Sequence, residues 1–343
     1  ITEGNANGAE PHILGGGMYN ESSSPVLTNV TISGNTANSV NEFSSGGGMY
    51  NADSSSPVLT NVTISGNTAD FYGGGMFNDY KSSPTLTNVT ISGNTANEDG
   101  GGMFNYDSSP TLTNVTISGN MAANHGGGMF NLDTSPTLTN VTISGNTAGY
   151  GGGMYNESRG QTLISHSPKI RNSIIVGNSG SQDLSGATIT HSLIGNQAKG
   201  KLYDGTGNVG VEEYTLAEIF IDPTNADYRL KAGSPAIDKG DSGLNETTAD
   251  LDGNPRVQGR SVDFGAYEFQ VYTLSYEGTL ENVQALVRQL TSEDERIVTV
   301  KYPAETATLK ATLELTREAV AFLFNQKVDL VIEVANATIR IPY

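Results

Sequence analysis

Six carboxylates recur along the first half of this 343-residue chain: Glu21, Asp53, Asp79, Asp107, Asp133 and Glu157, each just after a copy of GGGM[YF]N. One acid per repeat at a loop reads as a ladder, either a solvated edge or a loose strip for cations. The four histidines, His12, His125, His166 and His191, lack the spacing of a metal set, so surface roles are expected for them. Asp250-x-Asp252-x-Asn254 resembles the start of a calcium loop, although Gly253 falls at its fourth position rather than the sixth and Pro255 follows. A weak Ca²⁺ site and a cap held by hydrogen bonds are the two readings, and no other cofactor is expected.

Glycoside hydrolysis needs converging carboxyls, and elimination from a uronate needs a cation to neutralise the sugar acid and a base to take its α-proton. The repeats preserve their pattern where a catalytic site would break it. Of the 18 lysines and arginines only Lys81 precedes Arg159, whereas 12 of the 36 acids do. An enzyme would therefore place its site between Arg159 and Asp263, with Arg171 and Arg256 as candidate cations.

The elements that must position these groups are repeats. GGGMYN at Gly15 returns from Gly46, Gly73, Gly100, Gly126 and Gly151, and S-P-[VT]-L-T-N-V-T-I-S-G-N follows most copies. In Pro57 to Asn78, Val62 and Ile64 share one strand face, while Leu59 breaks the alternation and puts a corner near Asn61. Gly66-Asn67 marks a second corner and the Gly73–Gly75 region a third. Three short strands joined by corners in a period of this length read as a right-handed parallel β-helix, a solenoid whose coils bury their faces on one another. Stacking at about 4.8 Å turns each position into a ladder. Leu59, Leu86, Leu112 and Leu138 form one, and the equivalent Val62 and Ile64 positions form others. Asn67, Asn94, Asn120 and Asn146 form a corner ladder of amides, with a second through Asn61, Asn88, Asn114 and Asn140. Corner asparagines from Asn5 to Asn196 count about eight coils, and the pattern stops near residue 201.

If Met18, Met49, Met76, Met103, Met129 and Met154 point inward, then Tyr19, Tyr50, Phe77, Phe104, Phe130 and Tyr155 point outward. They read as an exposed aromatic surface ladder able to stack on sugar rings or dock a protein, or as one covered by loops or another subunit. Thr31, Thr63, Thr90, Thr116 and Thr142 form an outward threonine file.

A formal charge of −18 repels nucleic acid and anionic lipid, and no 18-residue apolar run is present to insert in a membrane. The absence of cysteine removes disulfides and thiol chemistry and fits an extracellular protein stabilised by stacking. The opening at Ile1, inside a coil, suggests a mature form or a fragment. It also suggests head-to-tail self-association, with the strand-forming DLVIEVANATIRIPY adding to the open edge of a neighbour.

The pairing of GGGM with I-S-G-N resembles the GGAI and FxxN pair of polymorphic outer-membrane-protein repeats and related bacterial surface β-helices, over residues 1 to about 200. DYRLKAGSPAIDKGD from Asp227, DLDGNPR from Asp250 and VDFGAYEF from Val262 are similar to the segment that closes β-helices in the choice-of-anchor family. That resemblance implies an extracellular protein. LELTREAV and VDLVIEVANATIRIP are similar to modules of Gram-positive surface proteins that carry S-layer homology domains.

Three parts are expected: repeats over 1–200, a closing segment over 201–270, and a small β-α-β-β-α-β domain over 271–343. The function expected is that of a non-catalytic structural or adhesive protein of the bacterial cell surface, self-associating or binding a cell-wall polysaccharide. A polysaccharide lyase or hydrolase is the alternative.

Overall fold

Each repeat strand pairs parallel with its counterpart one coil away, residue type opposite residue type. The computed structural model describes residues 1–8, 13–39, 43–159, 166–181, 184, 187–195, 205–210, 214–231, 233–269 and the strands within 271–341 given below. Three parallel sheets wall the rod. An eleven-strand sheet carries Val58–Ser65, Thr85–Ser92, Thr111–Ser118 and Thr137–Ser144 at its centre. A six-strand sheet stacks Met18–Glu21, Met49–Ala52, Met76–Asn78, Met103–Tyr106, Met129–Leu132 and Met154–Glu157. A five-strand sheet runs from Asn5–Ala6 to Met121–Ala122.

The inward ladders are dry. Leu59, Leu86, Leu112 and Leu138 sit at 0 % exposure, as do Ile64, Ile91, Ile117 and Ile143, all in one cluster with the methionines. The corner expected near Asn61 is a bend inside a continuous strand. Asn61, Asn88, Asn114 and Asn140 adopt φ near +50° to +56°, a left-handed kink that asparagine tolerates and that resets the in/out alternation.

Amides stitch the coils together. Asn67 Nδ2 donates to Asn94 Oδ1 (2.9 Å) and to the Ile32 carbonyl (3.0 Å), and the pattern repeats through Asn94, Asn120 and Asn146. A further ladder, not anticipated from the sequence, runs through the last residue of GGGM[YF]N. Asn20, Asn51, Asn78, Asn105 and Asn131 each donate to the next coil's amide oxygen at 2.7–2.8 Å. Met and Asn face inward on either side of the aromatic residue, as a period of two requires.

The triple glycine answers to closeness as well as to φ. A Cβ on Gly74 would stand 2.3 Å from the Thr95 carbonyl oxygen, a backbone atom that cannot step aside. Gly66 has φ +61° but open space around it. Gly74→Ala is therefore expected to cost roughly 2 kcal/mol or more, by forced backbone movement. Gly66→Ala should cost only about 1 kcal/mol, for its backbone conformation alone. Urea unfolding compares them, and equal losses would show that the tight approach is relieved elsewhere.

The segment 214–269 lies along the flank of the rod. Thr142 is followed in register by Ile174 and then Leu193, so an outward threonine position turns apolar in the later coils. There it packs with Phe220, Tyr228, Leu230, Phe264 and Phe269. The kink asparagines hold the segment at its edge: Asn114 Nδ2 donates to the Ala249 carbonyl (2.7 Å), Asn140 Nδ2 to Asn245 Oδ1 (3.0 Å), and Asn172 bonds the Asp241 backbone in both directions. The Thr142 hydroxyl accepts the Ala266 N–H at 3.0 Å. Thr116 and Thr142, although turned away from the coil interior, are consequently buried.

In the C-terminal part, Val271–Ser275, Arg296–Lys301 and Val328–Val334 pair parallel, and Ala337–Ile341 returns antiparallel with Val334 opposite Ala337. The closing strand expected as one is thus two. The two expected helices and the third of the expected strands lie outside the described residues.

Candidate functional site

The aromatic ladder forms as a stack, but it is not an exposed stripe. Ring centroids of Tyr50 and Phe77, Phe77 and Phe104, and Phe104 and Phe130 are 4.8–4.9 Å apart. Phe77 is 7 % exposed and Phe130 2 %, with Tyr19 and Tyr155 half-buried at the two ends. Their cover is the residue before each GGG, a second file in parallel register through Leu14, Ser45, Tyr72, Asp99, His125 and Tyr150. Tyr72 leans over Phe104 at 4.9 Å and His125 over Tyr155 at 4.7 Å. Alternation along a strand decides which side of the wall a ring takes. It cannot report a second layer outside that wall.

This cover file brings together a pair that the sequence reading missed. His125 Nδ1 lies 2.8 Å from Asp99 Oδ1, which also accepts the His125 backbone N–H at 3.0 Å. Burial raises the Asp99 carboxyl pKa, and its hydrogen bonds from His125 oppose the rise. Burial, with the charges of Asp99 and Glu98, likewise raises the Tyr72 phenol. Asp99 and His125 each precede a GGG, one repeat apart, and aligning the repeats would have placed them in contact. The arrangement orients an imidazole over an aromatic stack. A second trio, Ser158, His166 and Asp133, meets with Ser158 Oγ 3.4 Å and Asp133 Oδ1 3.8 Å from the same ring nitrogen, His166 Nδ1. One nitrogen facing both partners cannot relay a proton from serine through the ring.

The acidic residues do not form one ladder. Glu21 and Glu157 occupy the fourth position of their strands, opposite Ala52 and Leu132 respectively. Asp53, Asp107 and Asp133 come one residue later, with φ of 50°, 46° and 52°. They are left-handed corner residues, a conformation that aspartate tolerates. A one-residue offset moves a side chain to another position around the coil, so the series divides in two. Asp79, the fourth residue counted from Met76, falls at the Glu21 position; it accepts the Tyr50 hydroxyl at 2.8 Å, and burial raises its pKa.

Asp250, Asp252 and Asn254 sit in the flank segment. Asp250 is 1 % exposed, and its two oxygens accept the backbone N–H groups of Asn254 (2.8 Å) and Glu268 (2.9 Å). Its carboxylate therefore clasps the chain. Among the described residues no three His, Asp or Glu side chains converge as a metal set.

Arg256 is equally structural. It is buried beside Glu268, with Nε 3.7 Å from Oε2, and its Nη2 donates to the carbonyls of Asp263 (3.1 Å) and Gly265 (2.5 Å). Asp263 and Glu268 each accept two backbone N–H groups. Above about pH 8, where Asp263 and Glu268 ionise, Arg256→Met would leave these buried carboxylates without their cation, at a cost of about 3–5 kcal/mol. Limited proteolysis within 214–269 should then proceed far faster. A loss under about 1 kcal/mol would show that the carboxyls carry no charge needing compensation.

Burial pushes the Asp263 carboxyl up to about 7 and that of Glu268 up to about 8, the charge of Asp263 adding to the latter. In the unfolded chain both ionise near pH ~4. The folded protein thus keeps protons that the unfolded chain releases, so this cluster's contribution to stability is greatest below pH ~4 and declines as pH rises toward about 8. Unfolding midpoints of the native protein and of Glu268→Gln, measured from pH 4 to 9, should converge or cross in favour of the variant as pH rises. A gap independent of pH would contradict the assignment.

A family model described as the right-handed β-helix region matches residues 18–216. No curated protein and no solved structure matches the chain.

Proposed function

Because the chain belongs to the right-handed β-helix family, a fold shared by adhesive rods and by polysaccharide-cleaving enzymes, we propose that it serves as a non-catalytic structural or adhesive rod at a bacterial cell surface. One observation carries this reading. The polar side chains of the repeats are spent between coils, most plainly in the two buried asparagine ladders through Asn67 and Asn78. A rod stitched in this way gains length and stiffness, and stability accumulates coil by coil. The acidic composition, the lack of cysteine and the resemblance to surface β-helix repeats support an extracellular setting, and self-association or attachment to a polysaccharide supplies the partner.

The alternative, a polysaccharide lyase or hydrolase, gains support from the interruption of the repeat at Lys169 and Arg171. Incubation with a panel of neutral and uronate polysaccharides tests the proposal. The expected result is neither new reducing ends nor unsaturated products, and turnover abolished by Arg171→Thr would overturn it.

A further inference from the structure

Two files on the outer face of the large sheet are built of β-branched residues until one coil breaks them. Thr85, Thr111 and Thr137 stack in register and are followed by Lys169 and then Thr188; Thr87, Thr113 and Thr139 are followed by Arg171 and then Thr190. The intervening Ile170 points into the core and is fully buried, which turns both cations outward on the same face. Neither side chain has an ion-pair or hydrogen-bond partner among the described residues. In a chain of net charge −18, two adjacent uncompensated cations are out of keeping with their surroundings.

They line a cleft of about 480 Å³. Thr188, Thr190, His191 and Thr206 line it too, as does Leu244 of the flank segment. His191 is held in a left-handed conformation, φ 45°, and its backbone N–H donates to the Thr206 carbonyl at 2.9 Å. Its Nδ1 is buried without a hydrogen-bond partner.

We infer that this cleft binds the carboxylate of an acidic sugar unit. Lys169 and Arg171 supply a charged pair for a carboxylate, and Arg offers it a two-pronged contact. The cleft greatly exceeds the ~30 Å³ share of a water-sized ion. Threonine hydroxyls and an imidazole nitrogen suit sugar hydroxyls, and Leu244 suits the C–H face of a sugar ring. Binding requires neither the rod reading nor catalysis.

The repeat itself supplies the test variant. Lys169→Thr with Arg171→Thr restores the residue that neighbouring coils already carry at both positions, so the fold is expected to stand, and a circular dichroism spectrum and unfolding midpoint confirm it. Titration calorimetry of the full chain with sodium glucuronate should show saturable binding that weakens as salt is added. The double variant should bind at least tenfold more weakly, and glucose and inorganic sulfate should each bind at least tenfold more weakly to the native protein. Undetectable glucuronate binding, unchanged affinity in the folded double variant, or sulfate or glucose binding as tightly as glucuronate would each overturn the inference.

Discussion

Ile91→Asp is expected to unfold the rod, whereas Thr90→Asp, one residue away on the same strand, should leave it folded. Ile91 is fully buried in the isoleucine ladder between Ile64 and Ile117, within the apolar core cluster. An aspartate there must lose its hydration without a partner or stay protonated, and it also forfeits the packing of an isoleucine. The expected loss exceeds about 4 kcal/mol. Thr90 points to the outer face and remains half-exposed, so its replacement should cost under about 1 kcal/mol. The choice of coil matters. Thr116 is turned outward too, but it is 3 % exposed, with Tyr267 of the flank segment beside it, and burial pushes that phenol up to about 12. The pair Ile117 and Thr116 would therefore both fail. Thermal unfolding followed by circular dichroism decides the matter, and similar midpoints for Ile91→Asp and Thr90→Asp would reverse the assignment of inside and outside.

Replacing Phe77 and Phe104 together by serine should be as damaging as a core substitution, although both rings lie outside the coil. They stack 4.9 Å apart at an angle of 11°, at 7 % and 5 % exposure, under Tyr72. Truncating one buried phenylalanine costs roughly 3–5 kcal/mol, and two in contact share part of that loss, so about 5 kcal/mol or more is expected for the pair. The cover file would lose its support as well. Faster amide hydrogen exchange should appear first in Met76–Asn78 and Met103–Tyr106, the strands that carry the rings. A variant with native stability would mean that Tyr72 and its neighbours rest on the strand backbone and the rings are incidental.

The repeat and its inward ladders were legible in the sequence, because stacking makes each position answer to the same position one coil away, although the corner expected near Asn61 is a kink within the strand Val58–Ser65. Leu59, Val62, Ile64 and Asn67 could be read as ladders from spacing alone, since parallel in-register pairing rewards like residues opposite one another. The Asn78 ladder was present in GGGMFN as a constant last residue, and a period of two counted from Met76 would have turned it inward.

What only the tertiary structure decided is how far outside the coil the protein continues. Alternation gives a side chain one of two faces, and it is silent about what lies against the outer one. Phe77 and Thr116 both point outward, and both are buried, one by the file of residues before the glycines and the other by a segment about 150 residues further along the chain. The same silence hid the contact between Asp99 and His125 and the clasp around Arg256, because these depend on loops and on a non-repeating segment whose docking has no period to read. The break at Lys169 and Arg171 could be seen in the chain as two cations among threonines, but nothing in the spacing announced that Leu244 of the flank segment would line the cleft beside them.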